Sequence, residues 1–239
     1  MDIRKKPVRE SRDSEEHPES FPIIIALDET GSMGMVPEQL IKSAFPDIIK
    51  LIMEAGIKNP QVCFCGFGDV QGCREEAPVQ IGEFESSDDL MEKWLQSIYL
   101  EGCGGGNNGE DPQMIWYVAA RHMKTDAFEK RGKKGVLITI SDEPVHRHTP
   151  KHAITNYIGD GCEKDLITSD ILAEVQEKWD VYHIHIEHGS YRLDQTNWVE
   201  LLDDKVNKNE GDWVADVKRI IPNIVIRSYN NSNDLVEVE

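Results

Sequence analysis

A carboxylate and two hydroxyls lie within five residues of one another at the end of an apolar run. Asp28, Thr30 and Ser32 directly follow Phe21-Pro-Ile-Ile-Ile-Ala-Leu27, and Gly31 allows the backbone between them to turn tightly. Oxygen ligands of this kind suit hard cations such as Mg²⁺, Mn²⁺ or Ca²⁺ better than they suit Zn²⁺. The spacing therefore predicts a divalent-cation site, with a capped helix start at Ser32 as the alternative.

The segments that must position these residues alternate between apolar runs and amphipathic stretches. Strands are predicted at 21–27, 61–67, 79–84, 135–140, 181–186 and near 206. Helices are predicted at 37–55, 88–100, 112–128, 168–179, 199–202 and 212–221. This alternation predicts an α/β fold, with a doubly wound, mainly parallel, Rossmann-like sheet that has helices on both faces.

A second acid, Asp142, follows another apolar run, 135–140. The carboxyl ends of parallel strands meet at one edge of a sheet, and open α/β sheets bind their ligands outside that edge. We therefore expect the carboxylates of Asp28 and Asp142 to share one rim of the domain.

The motif Asp28-Glu-Thr-Gly-Ser32 resembles the Asp-x-Ser-x-Ser sequence of the metal-ion-dependent adhesion site (MIDAS) in von Willebrand factor A (VWA) and integrin I domains. The resemblance covers roughly residues 21–221. It implies a second ligand from a glycine-rich loop at residues 102–109, where Asn107 takes the place of an Asp in one branch of the family, and a third from Asp142. Because an amide is neutral, the resemblance implies a weaker metal affinity than an Asp would give.

Neighbouring polar side chains are expected to contribute to the same rim; they are Glu29, Glu110, Asp111, Glu143 and His146. The resemblance implies an interaction module in which the bound cation captures an Asp or Glu of a partner protein. It also places the chain with intracellular VWA proteins of prokaryotes and phages. We expect binding rather than catalysis, and no catalytic residue is assigned.

Two other interpretations stay open. His146, His148 and His152 follow Asp142 and could hold a transition metal in a hydrolase, although their spacing fits no zinc motif. The second interpretation is a VWA fold that carries no metal and serves as a scaffold. His183 and His185, which alternate with Glu187 along strand 181–186, are predicted to be buried histidines rather than ligands.

Composition and net charge favour some classes of binding partner and cellular compartment over others. The net charge of −18 disfavours nucleic acid and anionic membrane surfaces as partners. The sequence has no apolar region of a secretory signal and no run of 18 apolar residues, so a cytoplasmic location is predicted. In that compartment the five cysteines are expected to be free thiols.

Three regions are predicted along the chain. Residues 1–20 carry mixed charges and few aliphatic side chains, so they are expected to form a disordered tail. Residues 21–226 form the VWA-like domain, and residues 227–239 form a C-terminal tail.

Overall fold

The apolar run that ends at Asp28 forms a central strand of a six-stranded sheet. The computed structural model describes residues 1–72, 77–104, 106–107, 109–186 and 195–209. The strands in that part of the chain are β1 Arg9–Ser11, β2 Phe21–Asp28, β3 Pro60–Phe67, β4 Val79–Ile81, β5 Met123–Thr125, β6 Gly135–Ser141, β7 His148–Thr149, β8 Leu166–Ile167, β9 Trp179–Ile186 and β10 Val206–Asn209. The large sheet has the order β10-β9-β6-β2-β3-β4.

All neighbouring strands of this sheet are parallel except β4, which pairs antiparallel with β3 at one edge. The helices of the described chain are α1 Val36–Gln39, α2 Phe45–Glu54, α3 Asp88–Gln96, α4 Gln113–Arg121, α5 Asp126–Arg131, α6 Lys151–Ala153, α7 Thr168–Val175 and α8 Gln195–Leu202. A π-helical turn, Leu40–Ala44, joins α1 to α2, and a second, Ile154–Ile158, extends α6.

The alternation of side chains along β2 shows why residues 21–27 of this strand are apolar. Ile23, Ile25 and Leu27 pack in one core with buried residues of α2 and α3. Ile24 and Ala26 point to the opposite core, which contains buried residues of α4, α7 and α8. A parallel sheet covered on both faces requires apolar residues at successive positions. The predicted α/β class, with a mainly parallel sheet between helices, is confirmed.

The single helix predicted at 112–128 is wrong. Helix α4 ends at Arg121, and strand β5 follows before α5 begins. Met123 and Thr125 are buried on either side of the exposed Lys124, which is the period-2 pattern of a strand. This strand exists because β1 pairs with it in parallel register, from Arg9 opposite Met123.

Residues 1–20 are not a disordered tail in the structure. Ile3 is fully buried in the core that contains α4, and Arg9 Nε donates to the carbonyl of Gly82 over 2.7 Å. Ser11 Oγ donates to Gln61 Oε1 over 2.7 Å, and Asp13 accepts from the guanidinium of Arg131. Charge patterning missed this docking because the anchoring residues are few and widely spaced.

Removing the Ser11 hydroxyl tests whether the N-terminal segment belongs to the folded domain. We expect Ser11→Ala to lower the free energy of unfolding by about 1–3 kcal/mol, because it leaves Gln61 Oε1 without its buried donor. Urea unfolding measures this change. Lys5→Ala, at an exposed position, is the control and should change stability by less than about 0.5 kcal/mol. Equal stability of both variants would show that the Ser11 hydrogen bond does not stabilise the domain.

The cysteines only partly follow the free-thiol prediction. Cys63 and Cys65 are buried free thiols on one face of β3, and Cys162 is also free. Cys103, in the glycine-rich loop, is disulfide-bonded, which contradicts the prediction at that position. The cytoplasmic location stays a prediction.

Several predictions fall outside the described chain. These are the closing helix at 212–221, the C-terminal tail at 227–239 and the position of Glu187. The domain boundaries at 21 and 226 stay predictions. Among the described helices, none is long and apolar enough to cross a membrane.

Candidate functional site

Asp28 is the last residue of β2 and is completely buried. Its Oδ1 accepts hydrogen bonds from the Thr30 backbone N–H over 2.9 Å and from Thr30 Oγ1 over 2.6 Å. Its Oδ2 accepts from Ser141 Oγ over 2.7 Å. The carboxylate is therefore fixed between the turn after β2 and the end of the neighbouring strand β6.

Two hydroxyls connect Asp28 to the second rim acid. Thr30 Oγ1 lies 3.0 Å from Ser32 Oγ, and Ser32 Oγ lies 2.9 Å from Asp142 Oδ1. The structure thus brings together Asp28, Thr30, Ser32 and Asp142. Ser32 lies inside a short 3-10 helix, Gly31–Met33, and α1 begins only at Val36. Neither helix has a side-chain cap, so the alternative in which Ser32 caps a helix does not match this geometry.

The glycine-rich loop lies against the turn that carries Thr30 and Ser32. The Gly31 N–H donates to the carbonyl of Cys103 over 2.8 Å, and the Gly102 N–H donates to the carbonyl of Glu29 over 3.1 Å. A Cβ atom on Gly31 would lie 2.7 Å from the Gly102 carbonyl oxygen, closer than real Cβ atoms come. Glycine at 31 is therefore required for this approach.

Asn107 contacts Asp69, which is not among the residues predicted for the site. Its Nδ2 donates to Asp69 Oδ1 over 3.1 Å, and its neighbours Gly105 and Asn108 lie outside the described chain. Asp69 follows β3 by two residues. The rule that identified Asp28 and Asp142, an acid at the end of a buried strand, would also have found Asp69.

Asp69 belongs to a second group of polar side chains on the same rim. One ligand atom each of Asp69, Asp111 and His146 lies within 4.8 Å of the other two. Two of the residues expected to contribute to the rim, Asp111 and His146, are therefore in this group. Glu110, next to Asp111, is buried, and its backbone pairs with Val145.

The two remaining residues expected at the rim are Glu29 and Glu143, and both are largely buried. The side chain of Glu29 accepts from the amide of Gln80. Burial raises the pKa of Glu143, and the charges of Asp28 and Asp69 raise it further. The pKa of Glu143 therefore depends on a carboxylate from each group, Asp28 in one and Asp69 in the other.

The two carboxylates of the group formed by Asp28, Thr30, Ser32 and Asp142 destabilise each other when no cation is present. Burial raises the pKa of Asp28 to about 7, and repulsion by Asp142 adds to that effect. Burial raises the pKa of Asp142 to about 6, and repulsion by Glu143 contributes as well. A divalent cation would relieve this repulsion.

These shifts predict how the cation-free protein responds to pH. Unfolded carboxyls have pKa values near 4, so the folded state holds these protons more tightly. The contribution of Asp28 and Asp142 to stability should therefore be fully present below about pH 4 and be lost as pH rises through about 6 to 7. This contribution is measured by the melting temperatures of the wild-type and Asp28→Asn proteins in EDTA at pH 5 and pH 8. The prediction fails if the difference in melting temperature between wild type and variant is the same at both pH values.

The histidines after Asp142 do not gather at one point. His146 is mostly buried beside Asp111, whereas His148 and His152 are exposed on β7 and α6. Among the described residues, Asp69, Asp111 and His146 form a group of acid and histidine side chains with metal-ligand spacing, and neither His148 nor His152 belongs to it.

His183 and His185 are interior residues of β9, as predicted. His183 is fully buried, and its ring is stacked on Trp198 at a centroid distance of 3.5 Å. Its Nδ1 lies 3.0 Å from Thr139 Oγ1. Burial keeps the pKa of His183 well below its ordinary value, which favours the neutral imidazole.

Comparison with known sequences gives no relative, since no family and no curated protein matches the chain. Solved structures do match, at low identity. The vWF domain of the type V pili tip protein Mfa5 from Porphyromonas gingivalis has a TM-score of 0.59 at 9% identity, over 90% of this chain and 98% of that one. The pilus adhesin SpaC from Lactobacillus rhamnosus GG has a TM-score of 0.58 at 12% identity, over 92% of this chain and 31% of SpaC.

Proximal thread matrix protein 1 from the mussel byssus, solved with a zinc-occupied MIDAS motif, has a TM-score of 0.52 at 13% identity. The match covers 91% of this chain and 49% of the mussel protein. This chain thus spans about half of the mussel protein and about a third of SpaC. At these identities the comparisons establish the fold alone. The chain has a VWA-like fold.

Proposed function

We propose that the chain is a divalent-cation-dependent protein-interaction module. In this proposal Asp28, Thr30, Ser32 and Asp142 hold the cation at the rim of the sheet. A carboxylate of a partner protein then completes the coordination of the ion.

The proton count along the hydroxyl chain carries this proposal. Three contacts run from Asp28 through Thr30 and Ser32 to Asp142, but the two hydroxyls supply only two protons. When both carboxyls are ionised, one of these contacts has no proton and two lone pairs face each other. Either a protonated carboxyl or a cation shared by the oxygens resolves this. Above about pH 7, where Asp28 is ionised, a cation in this oxygen cluster satisfies all four side chains.

The donor set also fits such an ion. Asp142 is fully buried, and its Oδ2 has no hydrogen-bond partner among the described residues. Carboxylates and hydroxyls are hard oxygen ligands, which suit Mg²⁺, Mn²⁺ or Ca²⁺. The zinc in the mussel protein supports a cation at this kind of motif, so Zn²⁺ belongs in the test. Asn107 as a further ligand stays a prediction, because its amide donates to Asp69.

The partner class follows from the charge of the site. A partner carboxylate would be repelled by Asp28 and Asp142 alone, so its binding must depend on the cation. The adhesin and matrix-protein functions of the matching structures support protein binding as the role of this fold. We expect no contribution from nucleic acid or membrane, given the net charge of −18.

A library of short peptides, each with one Glu or Asp, tests the proposal directly. We expect a subset to bind in Mg²⁺ or Mn²⁺, to be released by EDTA and to lose binding when the acid is replaced by Gln or Asn. The Asp28→Asn protein should bind none of them. Binding that persists in EDTA, or that tolerates the amide peptides, would exclude carboxylate capture by a cation.

The two alternatives give different outcomes in matched assays. A hydrolase would turn over members of a generic ester or phosphate panel and lose that activity in Asp142→Asn. A metal-free scaffold would show neither turnover nor any change in melting temperature with cation. Both stay predictions.

A further inference from the structure

The group of Asp69, Asp111 and His146 has features of a metal site of its own. Each residue comes from a different loop on the rim: Asp69 follows β3, Asp111 precedes α4 and His146 follows β6. Their ligand atoms lie within 4.8 Å of one another, and both aspartates are completely buried. The donor set contains an imidazole nitrogen, which the cluster around Asp28 lacks.

Backbone hydrogen bonds hold the three loops in place. The Asp111 N–H donates to the Gly68 carbonyl over 3.2 Å, and the His146 N–H donates to the Glu110 carbonyl over 3.0 Å. A Cβ atom on Gly109 would lie 2.7 Å from the His146 ring, so glycine is needed where the ring packs. The group is therefore organised by the fold and not by mutual attraction of flexible side chains.

Neutral donors orient the Asp111 carboxylate. Its Oδ1 accepts from the side-chain amides of Gln71 over 2.8 Å and Gln113 over 2.6 Å, and its Oδ2 accepts from the Val70 N–H over 2.9 Å. Amide donors orient a carboxylate without neutralising its charge. In metal sites, such outer contacts fix the ligands and tune their basicity.

The imidazole of His146 is the least satisfied member of the group. Its Nδ1 is buried and lies 3.1 Å from Asp111 Oδ1 in an ion-pair contact, but it makes no hydrogen bond among the described residues. A buried nitrogen that makes no hydrogen bond costs free energy. A cation between the nitrogen and the carboxylate oxygens would satisfy both.

We infer that Asp69, Asp111 and His146 form a second cation site, which takes a borderline divalent metal such as Zn²⁺ or Co²⁺. Two carboxylates and one imidazole match the mixed ligands that such ions accept, and three protein ligands leave at least one position for water or a partner group. The site differs in chemistry from the oxygen-only cluster around Asp28, so the two can be loaded and removed separately.

Cobalt titration of the full chain tests this inference, because Co²⁺ reports its ligands by visible absorption. We expect Asp28→Asn to retain one Co²⁺ with an intense d–d band. His146→Gln in the same background should lose that band and weaken binding by at least about 100-fold, more than the loss of an outer-shell partner. His148→Gln, at an exposed histidine two residues along the chain, is the matched control and should bind as before.

A second measurement covers the case in which His146→Gln does not fold. In the otherwise unchanged chain, Zn²⁺ should shift the ¹⁵N resonances of one buried histidine ring and leave the exposed histidines unchanged. Equal cobalt spectra in the His146→Gln and His148→Gln proteins, or no ring shift with Zn²⁺, would overturn the second site. Neither result would affect the proposal for Asp28, since that cluster is tested with Mg²⁺ and with different variants.

Discussion

Asp28→Asn should stabilise the cation-free protein and abolish the stabilisation that Mg²⁺ or Mn²⁺ provides. Asparagine can keep the bonds to Thr30 and Ser141, because its amide oxygen accepts and its nitrogen donates. It removes one of two buried carboxylates that repel each other, so a gain of roughly 1–3 kcal/mol is expected at pH 8 without cation. The same change removes a charged ligand, so affinity for the ion should fall by about 100-fold or more.

Thermal unfolding with EDTA and with Mg²⁺ separates the two effects. At 100 times its Kd, a cation stabilises the wild-type fold by about 2.7 kcal/mol, which raises the melting temperature by about 5–10 °C. The variant should start higher in EDTA and show no rise. Asp89→Asn, at an exposed acid, is the control and should behave as wild type. A variant that is less stable in EDTA would mean that Asp28 has a structural role only.

Trp198→Ala should cause the largest loss of stability among single changes near the site. Trp198 is completely buried in α8, stacks on His183 and packs edge-on against Trp116 at 6.0 Å. Truncating a buried tryptophan costs about 3–5 kcal/mol. Its Nε1 also donates to the carbonyl of Glu143 over 2.8 Å, so the ring supports the loop that carries Asp142.

Trp198→Phe distinguishes the packing role from the hydrogen bond. Phenylalanine keeps most of the stacking on His183 but leaves the Glu143 carbonyl without its donor. We expect a smaller loss in chemical unfolding, about 1–3 kcal/mol, and a weaker affinity for Mg²⁺. Val199→Ala, at the exposed neighbour, provides the control. If Trp198→Phe bound Mg²⁺ as wild type does, the bond to Glu143 would have no part in positioning the site.

The sheet and the cluster of Asp28, Thr30, Ser32 and Asp142 could be predicted from sequence, because each prediction depends on residues close together in the chain. Ile23 to Leu27 are apolar at every position, which marks a strand covered on both faces, and an acid directly follows the strand. Asp142 follows β6 in the same way, so parallel pairing alone places it beside Asp28. The hydroxyls of Thr30 and Ser32 then come within reach through one tight turn.

The remaining features depend on contacts between distant parts of the chain. Strand β5 interrupts a helical pattern because Arg9 to Ser11 pair with it, more than one hundred residues away. The docking of Ile3 is equally non-local. The resemblance implies Asn107 as a ligand beside Asp28, which stays a prediction, and its contact with Asp69 was not predicted. The periodicity of a single segment does not predict contacts between segments that are distant in the sequence.

Calorimetric titration of Mn²⁺ into the EDTA-treated, dialysed protein tests the central claim most directly. At pH 8 the wild-type chain should bind Mn²⁺ with saturable heat, and Asp28→Asn and Asp142→Asn should each lose the site that Mg²⁺ competes for. His146→Gln should retain that site. If both Asp variants bind Mn²⁺ with wild-type affinity in the presence and absence of Mg²⁺, the cluster of Asp28, Thr30, Ser32 and Asp142 is not a cation site.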